Sequence, residues 1–188
     1  MARGKVVVVS GPSGVGKTTV CGELARDPRI RLAVSATTRP PRENEKDGVD
    51  YHFLAREQFE SKINSGELLE YAEILGQYYG TLRKPLQDAV SAGLVYVLSI
   101  DVQGAHTLRE KGIEATFIFL LPPDADTLSA RLENRGTETK ASIQKRLKLS
   151  ETEMQEKRHY EYTVVNDRVD SAVQKIKDII FPGPPSSQ

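Results

Sequence analysis

Short apolar runs along the chain have the length of buried β-strands, and several lack a polar residue at every second position. Such runs are typical of strands covered on both faces, as in parallel sheets. The runs are residues 5–10, 32–35, 95–100, 116–121 and 162–165. Patterns with helical period lie between them, at 17–26, 83–92, 102–111, 124–135, 141–158 and 169–180. This alternation predicts an α/β fold with a doubly wound parallel sheet.

Residues 36–81 interrupt the alternation. They carry many turn-forming residues, one short helical pattern and strand-like pieces, but no long apolar run. We therefore expect a small mixed α/β lobe, inserted into a core formed by 1–35 and 82–188. A second polar segment, at about 134–142, predicts a mobile surface lid between two amphipathic helices. The residues 182–188 predict a disordered tail.

Composition and charge limit the possible functions. A chain of 188 residues with 38% hydrophobic content can form one main core. Its 26 basic residues balance 26 acidic ones, so the charge expected of a duplex nucleic-acid binder is missing and any anion site must be local. Cys21 is the only cysteine, which predicts no disulfide framework. The N-terminal apolar run is too short for a membrane span, so we expect a soluble, cytoplasmic protein.

A glycine-rich motif follows the first predicted strand and opens a predicted helix. The sequence GPSGVGKT matches the phosphate-binding P-loop. Its glycines allow backbone N–H groups to face a triphosphate, Lys17 can reach the terminal phosphates, and Thr18 can offer a hydroxyl to Mg²⁺. A glycine-rich turn with an exposed lysine is the alternative. The predicted ATP site comprises Gly11, Pro12, Ser13, Gly14, Val15, Gly16, Lys17, Thr18 and Thr19.

Asp101 follows the apolar run at 95–100, at the carboxyl edge of the predicted sheet. Ligands collect at this edge in open α/β folds, so Asp101 can hold Mg²⁺ or a substrate hydroxyl. It can equally cap the helix that follows, and the two roles are compatible.

Two arginines, Arg39 and Arg42, enclose a pair of prolines in the predicted lobe. Guanidinium groups bind phosphate through two parallel hydrogen bonds, and the prolines restrict the loop. A second anion pocket facing a P-loop favours a kinase that transfers phosphoryl groups between nucleotides over a hydrolase. Solvated surface charges are the alternative.

The segment TTRPPRENEKDGVDYHF, residues 37–53, resembles the signature of guanylate kinases. The matching residues are Thr37, Thr38, Arg39, Arg42, Glu45, Gly48, Tyr51 and Phe53. The later motifs YYGT, IDVQGA, RLENRGTET and VVND also resemble this family. The resemblance implies Mg²⁺-dependent transfer of the ATP γ-phosphoryl group to GMP, with dGMP as a further expected acceptor. It also implies a P-loop core, a GMP-binding lobe and a lid.

The resemblance implies roles for individual residues. It implies that the GMP phosphate is bound by Arg39, Arg42, Tyr51 and Tyr79, and that the guanine is bound by Ser35, Glu70 and Thr81. A carboxylate can accept from both N1–H and the 2-amino group of guanine. Without the resemblance, Glu70 would be interpreted only as an outward-facing strand residue.

Further roles implied by the resemblance concern catalysis and the metal. The catalytic set is Lys17, Arg39, Arg131, Arg135 and Arg146. Asp101 joins the GMP site and shares Mg²⁺ with Thr18, whereas Asn166 lies close to the adenine. Ser99 stands where many relatives carry an acid, so Asp101 is expected to act alone.

Two other functions compete with this interpretation. A non-catalytic scaffold module shares the fold but typically has a degraded P-loop, whereas this chain keeps Gly16, Lys17 and Thr18. A kinase for another nucleoside monophosphate is the second alternative, and Glu70 argues for guanine. The expected partners are ATP and GMP, without nucleic acid or membrane, and the expected state is a monomer or weak dimer.

Overall fold

The central sheet of the computed structural model, which describes residues 4–133 and 140–183, is parallel. Its spatial order is β2 (Ile30–Leu32), β7 (Val95–Ser99), β1 (Lys5–Ser10), β8 (Thr116–Leu121) and β9 (Tyr162–Val165). Every neighbouring pair is parallel. Because β1 is the middle strand, the glycine-rich loop that follows it starts at the centre of the carboxyl edge.

Helices cover both faces of this sheet, and alternate side chains of β1 enter different cores. Val7 and Val9 pack with side chains of α1 (Lys17–Leu24) and α7 (Val169–Ile180). Val8 packs instead with side chains of α3 (Arg83–Ser91) and α4 (Val102–Glu110). The predicted doubly wound α/β fold is therefore confirmed.

A second, mixed sheet contains the four remaining strands. Its order is β4 (Tyr51–Phe53), β3 (Ser35–Thr37), β6 (Gln77–Leu82) and β5 (Leu68–Ile74). The β3–β4 pair is parallel and the other two pairs are antiparallel. The helix α2 (Arg56–Asn64) contributes Phe59, whose buried ring stacks on Tyr78 at a centroid distance of 5.2 Å. The division of the chain at 36 and 81 stays a prediction.

The apolar run at 32–35 does not form one strand, so that prediction is wrong. The strand β2 ends at Leu32 and β3 begins at Ser35, and they belong to different sheets. The N–H of Ala33 still donates to Val97 of the central sheet, at 2.9 Å. A run of four apolar residues does not show which strands it pairs with, because pairing depends on distant parts of the chain.

Two helices precede β9, as predicted. They are α5 (Ala125–Glu133) and α6 (Lys140–Gln155), and a short 3₁₀ helix at Glu156–His159 follows α6. Most of the expected lid, including Arg135, and most of the expected tail lie outside the described residues. Among the helices that the structure describes, none is long and apolar enough to cross a membrane.

Candidate active site

The glycine-rich loop joins β1 to α1 in a backbone conformation that requires glycine. Gly11, Gly14 and Gly16 have φ angles of 148°, 84° and 100°, a region that residues with a Cβ rarely adopt. A Cβ on Gly16 would also lie only 2.5 Å from Nδ2 of Asn166. The helix begins directly at Lys17, so its first N–H groups and the loop share one end of α1.

Lys17 folds back over the loop that precedes it. Its Nζ donates to the carbonyl oxygens of Gly11 and of Pro12, the latter at 3.1 Å. Thr18 and Thr19 are exposed on the first turn of α1. The ammonium group and the two hydroxyls therefore lie at the same end of the helix as the loop.

Arg131 and Asn166 support the loop from one side. Nη1 of Arg131 donates to the carbonyl of Val15 at 3.1 Å, and its Nη2 donates to the carbonyl of Asn166 at 3.2 Å. The buried side chain of Asn166 also donates to Val15, at 2.8 Å. This places both predicted residues beside the P-loop. The adenine contact of Asn166 stays a prediction.

Glu70 is 2% exposed and lies on β5, which contacts α4. Thr81 Oγ1 donates to its Oε1 at 2.6 Å. A Cβ added to Gly104 of α4 would lie 2.7 Å from its Oε2. Burial raises the pKa of Glu70 to about 7, the Thr81 hydrogen bond opposes this shift, and the charge of Asp101 adds to it.

The interpretation of Glu70 as an outward-facing strand residue is wrong. Strict alternation would place Glu70 on the face of β5 that is opposite to the face of Leu69. Leu69 is itself buried in the core, so Glu70 would then be exposed. The register of β5 and β6 shifts between Leu68 and Glu70. A bulge of this kind re-aims side chains, and the β5 face that carries Glu70 is covered by α4.

Arg39 and Arg42 are both arranged around Glu45. The guanidinium of Arg39 forms two hydrogen bonds with the Glu45 carboxylate, each of 2.9 Å. The backbone N–H of Arg42 donates to the same carboxylate at 2.8 Å. Burial opposes ionisation of Glu45, yet the Arg39 hydrogen bonds lower its pKa below the ordinary value. The side chain of Arg39 is 14% exposed and that of Arg42 is 39% exposed.

Two tyrosines of the second sheet, Tyr51 and Tyr79, lie beside Arg39. The guanidinium carbon of Arg39 lies 5.4 Å from the ring centre of Tyr51, and the ring of Tyr79 lies edge-on to Tyr51 at 6.2 Å. Ser35 pairs with Tyr51 across β3 and β4. The structure thus brings Arg39, Tyr51 and Tyr79 together, with Arg42 beside them.

Asp101 caps α4. Its Oδ1 accepts from the N–H groups of Gln103 and Gly104, at 2.7 and 3.1 Å. The capping role is therefore confirmed, and the cap itself uses only one carboxylate oxygen. Its charge also contributes to the raised pKa values of Glu70 and Glu153, so it lies near both of these groups.

Comparison with known proteins decides the family. The family model described as guanylate kinase matches residues 3–182. This chain belongs to the guanylate kinase family. A guanylate kinase of Desulfitobacterium hafniense is 45% identical over 180 residues, covering 95% of this chain and 90% of that protein. One of Shouchella clausii is 48% identical over 179 residues, covering 95% and 87%.

A solved guanylate kinase supports the same assignment at the level of the fold. The crystal structure from Anaplasma phagocytophilum matches with a TM-score of 0.80 and 34% identity, covering 95% of this chain and 85% of that chain. The reaction of the guanylate kinase family is ATP-dependent phosphoryl transfer to GMP. The predicted enzyme class, a phosphotransferase acting on nucleotides, is therefore confirmed.

The sequence prediction missed two residues of α6 that contact the P-loop of this guanylate kinase family member. Glu153 accepts from the N–H of Ser13 at 3.0 Å, and Ser150 donates to the Ser13 carbonyl at 3.3 Å. Both lie on the helix face that also carries Arg146. A signal was present in the sequence, since polar residues four and three positions apart share one helix face.

Proposed function

We propose that the second sheet binds GMP and that Glu70 selects its guanine. The observation that carries this proposal is the buried Glu70–Thr81 pair. Among the residues that the structure describes, a hydroxyl and no basic side chain lies within hydrogen-bond reach of this carboxylate, and such a carboxylate favours a ligand with donors. Guanine presents two adjacent donors, N1–H and the 2-amino group, that one carboxylate can accept together. Ser35, on the same sheet, supplies a further hydroxyl for the base.

The phosphate of GMP is assigned to Arg39, Arg42, Tyr51 and Tyr79. Glu45 already holds the Arg39 guanidinium in place through two hydrogen bonds, so little side-chain entropy is lost when a phosphate binds. The tyrosine hydroxyls can donate to further phosphate oxygens. Asp101 is assigned to the same nucleotide, because it lies near Glu70 at the sheet edge.

The triphosphate of ATP is assigned to the P-loop, with Lys17, Arg131 and Arg146 neutralising charge on the transferring group. Arg135 completes this set in the proposal, although it lies outside the described residues. A loose phosphoryl-transfer transition state requires alignment and charge neutralisation. The acceptor is already a phosphate, so no general base is required.

Mg²⁺ is assigned to Thr18 and Asp101. A hydroxyl and a carboxylate oxygen are hard oxygen ligands of the kind that Mg²⁺ prefers. Mg²⁺ is usually held by one or two protein oxygens together with substrate phosphates and water, and the described residues contain no cluster of three acidic, histidine or cysteine ligands. The ion would supply positive charge on the phosphates during transfer.

A coupled assay of ADP release tests the proposal with GMP, dGMP, AMP, CMP and UMP as acceptors. We expect turnover with GMP and dGMP and little with the others. In the same assay, Glu70→Gln should have lower turnover with GMP. Glu73→Gln is its matched control, because Glu73 lies on the same strand but is exposed. Equal turnover with all acceptors would contradict guanine selection, and absence of turnover would favour the scaffold function.

We further infer a cytoplasmic location, where both nucleotides are available, and a monomer or weak dimer. Cys21 supports a reducing compartment, because it is a free, buried cysteine. Light scattering across a range of protein concentrations tests the oligomeric state.

A further inference from the structure

Ser13 of the P-loop is held by α6 through all three of its hydrogen-bonding groups. Its N–H donates to Oε2 of Glu153 at 3.0 Å. Its carbonyl accepts from Ser150 Oγ at 3.3 Å, and its hydroxyl accepts from Nη1 of Arg146 at 3.2 Å. One residue of the loop is therefore fixed by three side chains of a single helix.

The three side chains form one face of α6, because positions 146, 150 and 153 are separated by four and three residues. Ser150 is 1% exposed and Glu153 is 6% exposed. This face is consequently buried against the loop. A buried carboxylate costs free energy unless it is paired, so the contacts around Glu153 decide whether its charge is tolerated.

The charges around Glu153 come from three elements. Burial raises its pKa, Lys17 of α1 and the Ser13 N–H act in the opposite direction, Asp101 adds to the increase, and Arg146 opposes it. A charge-assisted hydrogen bond from a backbone N–H is stronger than a neutral one. Glu153 is therefore suited to fix the backbone at Ser13.

The loop needs such an external support. Ser13 is followed by Gly14, and Gly14 and Gly16 both have positive φ angles. Glycines make these conformations accessible but leave the loop with many alternatives in the absence of other contacts. A site that is already ordered binds its ligand more tightly than one that must be ordered on binding.

We propose that Glu153 is a positioning residue for the phosphates of ATP, acting through Ser13. It orders the loop before ATP binds, and the shared contact with Ser13 places the Arg146 guanidinium beside the loop. This inference rests on the proposed ATP site. Ordering of the loop affects ADP and ATP, whereas GMP binds to the second sheet and is unaffected.

Two conservative variants separate geometry from charge. Glu153→Gln keeps the length and an oxygen that accepts from Ser13, but removes the charge. Glu153→Asp keeps the charge but is one methylene shorter and loses the contact. We expect Glu153→Asp to weaken ADP binding about 10- to 100-fold, the scale of a lost charge-assisted hydrogen bond. Glu153→Gln should stay within about 3-fold of the parent, because its weaker neutral hydrogen bond is offset by the lower cost of burying an uncharged group.

The measurements are the ADP dissociation constant by calorimetry without GMP, and the KM values for ATP and GMP in turnover. For Glu153→Asp we expect a higher KM for ATP, a lower kcat, and a KM for GMP within about 2-fold of the parent. Glu151→Asp is the matched control, because Glu151 is exposed on the same helix. It should behave as the parent does.

Three outcomes would overturn the inference. They are parental ADP binding by Glu153→Asp, equal increases in the KM for ATP and for GMP, and a reversed order in which the aspartate variant binds well and the glutamine variant does not. The last outcome would mean that Glu153 acts only through its charge. Because ADP binding needs no acceptor, this test stays informative even if GMP is not the substrate.

Discussion

The hydroxyl of Thr81 donates to the buried carboxylate of Glu70 over 2.6 Å, across the β5–β6 pair. This hydrogen bond uses part of the hydrogen-bond accepting capacity of one carboxylate oxygen. The second oxygen points towards the backbone of Gly104 in α4, because a Cβ on that glycine would lie only 2.7 Å from it. The pair therefore links the second sheet to the core at the proposed guanine site.

Glu70→Gln tests whether this carboxylate recognises guanine. Glutamine keeps the shape but has one oxygen, and its amide group would face one of the guanine donors. We expect kcat/KM for GMP to fall by about 2–4 kcal/mol, or roughly 30- to 1,000-fold. The measurement is kcat/KM for GMP, IMP and AMP at one ATP concentration.

IMP and AMP serve as internal controls in that experiment. IMP lacks the 2-amino group, so it should be a poor substrate for the parent. Its kcat/KM should also decrease less than that of GMP when Glu70 is replaced. Adenine has an acceptor at N1 and a donor at N6, so the preference for GMP over AMP should narrow. An equal loss on all three acceptors would mean that Glu70 supports the sheet and does not contact the base.

The titration of Glu70 should reduce the stability of the protein as the pH rises. Burial raises its pKa to about 7 from an ordinary 4.5. Between these values the folded state keeps a proton that the unfolded state releases, so the free energy of unfolding falls as the pH increases. The loss is complete above about pH 7 and amounts to up to about 3 kcal/mol.

Urea unfolding of the parent and of Glu70→Gln near pH 5 and near pH 8 measures this effect. The glutamine variant should lack this part of the decline, so that its stability relative to the parent improves towards pH 8. Glu73→Gln should keep the parental decline, since Glu73 is exposed. The same pH dependence in parent and Glu70→Gln would show that other groups cause it.

Gly104→Ala should disturb the proposed GMP site without changing the binding of ATP. The new methyl group would lie 2.7 Å from Oε2 of Glu70, so the carboxylate must move. We expect the KM for GMP to rise about 10-fold, a typical cost of displacing one charged hydrogen-bonding group. ADP binding should stay at the parental value.

Gly22→Ala is the matched control, because Gly22 is also helical and an added Cβ meets no atom within 4 Å. That substitution should stabilise the protein by about 0.5–1 kcal/mol through helix propensity alone. If Gly104→Ala raises the KM for GMP no more than Gly22→Ala does, the close approach of α4 to Glu70 has no role in binding.

Arg39→Lys and Arg42→Lys should both impair the use of GMP, since an ammonium group cannot form the two parallel bonds of a guanidinium. The loss should be larger at Arg39, which also holds Glu45 through two hydrogen bonds. We expect a decrease in kcat/KM for GMP of about 10- to 100-fold, with unchanged ADP binding.

Steady-state kinetics with GMP varied, and calorimetry with ADP, check this expectation. Arg56→Lys is the control, because Arg56 lies on α2 of the same region, is half exposed, and pairs with Glu60 and Tyr78. If the Arg39 and Arg42 variants match Arg56→Lys, the two arginines are surface charges and the GMP phosphate binds elsewhere.

Local signals in the sequence were sufficient to predict where the P-loop and Asp101 lie in the fold. The P-loop glycines and Lys17 are contiguous, and their backbone requirements are local, so the motif predicted the loop at the end of β1. Asp101 was placed at the sheet edge for the same reason, and its capping of α4 was predicted correctly, whereas its contacts with Mg²⁺ and GMP stay predictions. The strand at 32–35 was wrongly predicted because its two halves pair with strands of different sheets.

The sequence by itself determined the alternation of strands and helices, the phosphate loop and the arginine pair, because each depends on neighbouring residues. Only the tertiary structure decided that Glu70 is buried at a shifted register, that Glu45 orients Arg39, and that α6 fixes Ser13 from 140 positions away in the chain. Burial and pairing of charged side chains depend on which distant segments meet, and hydrophobic periodicity carries no information about those contacts.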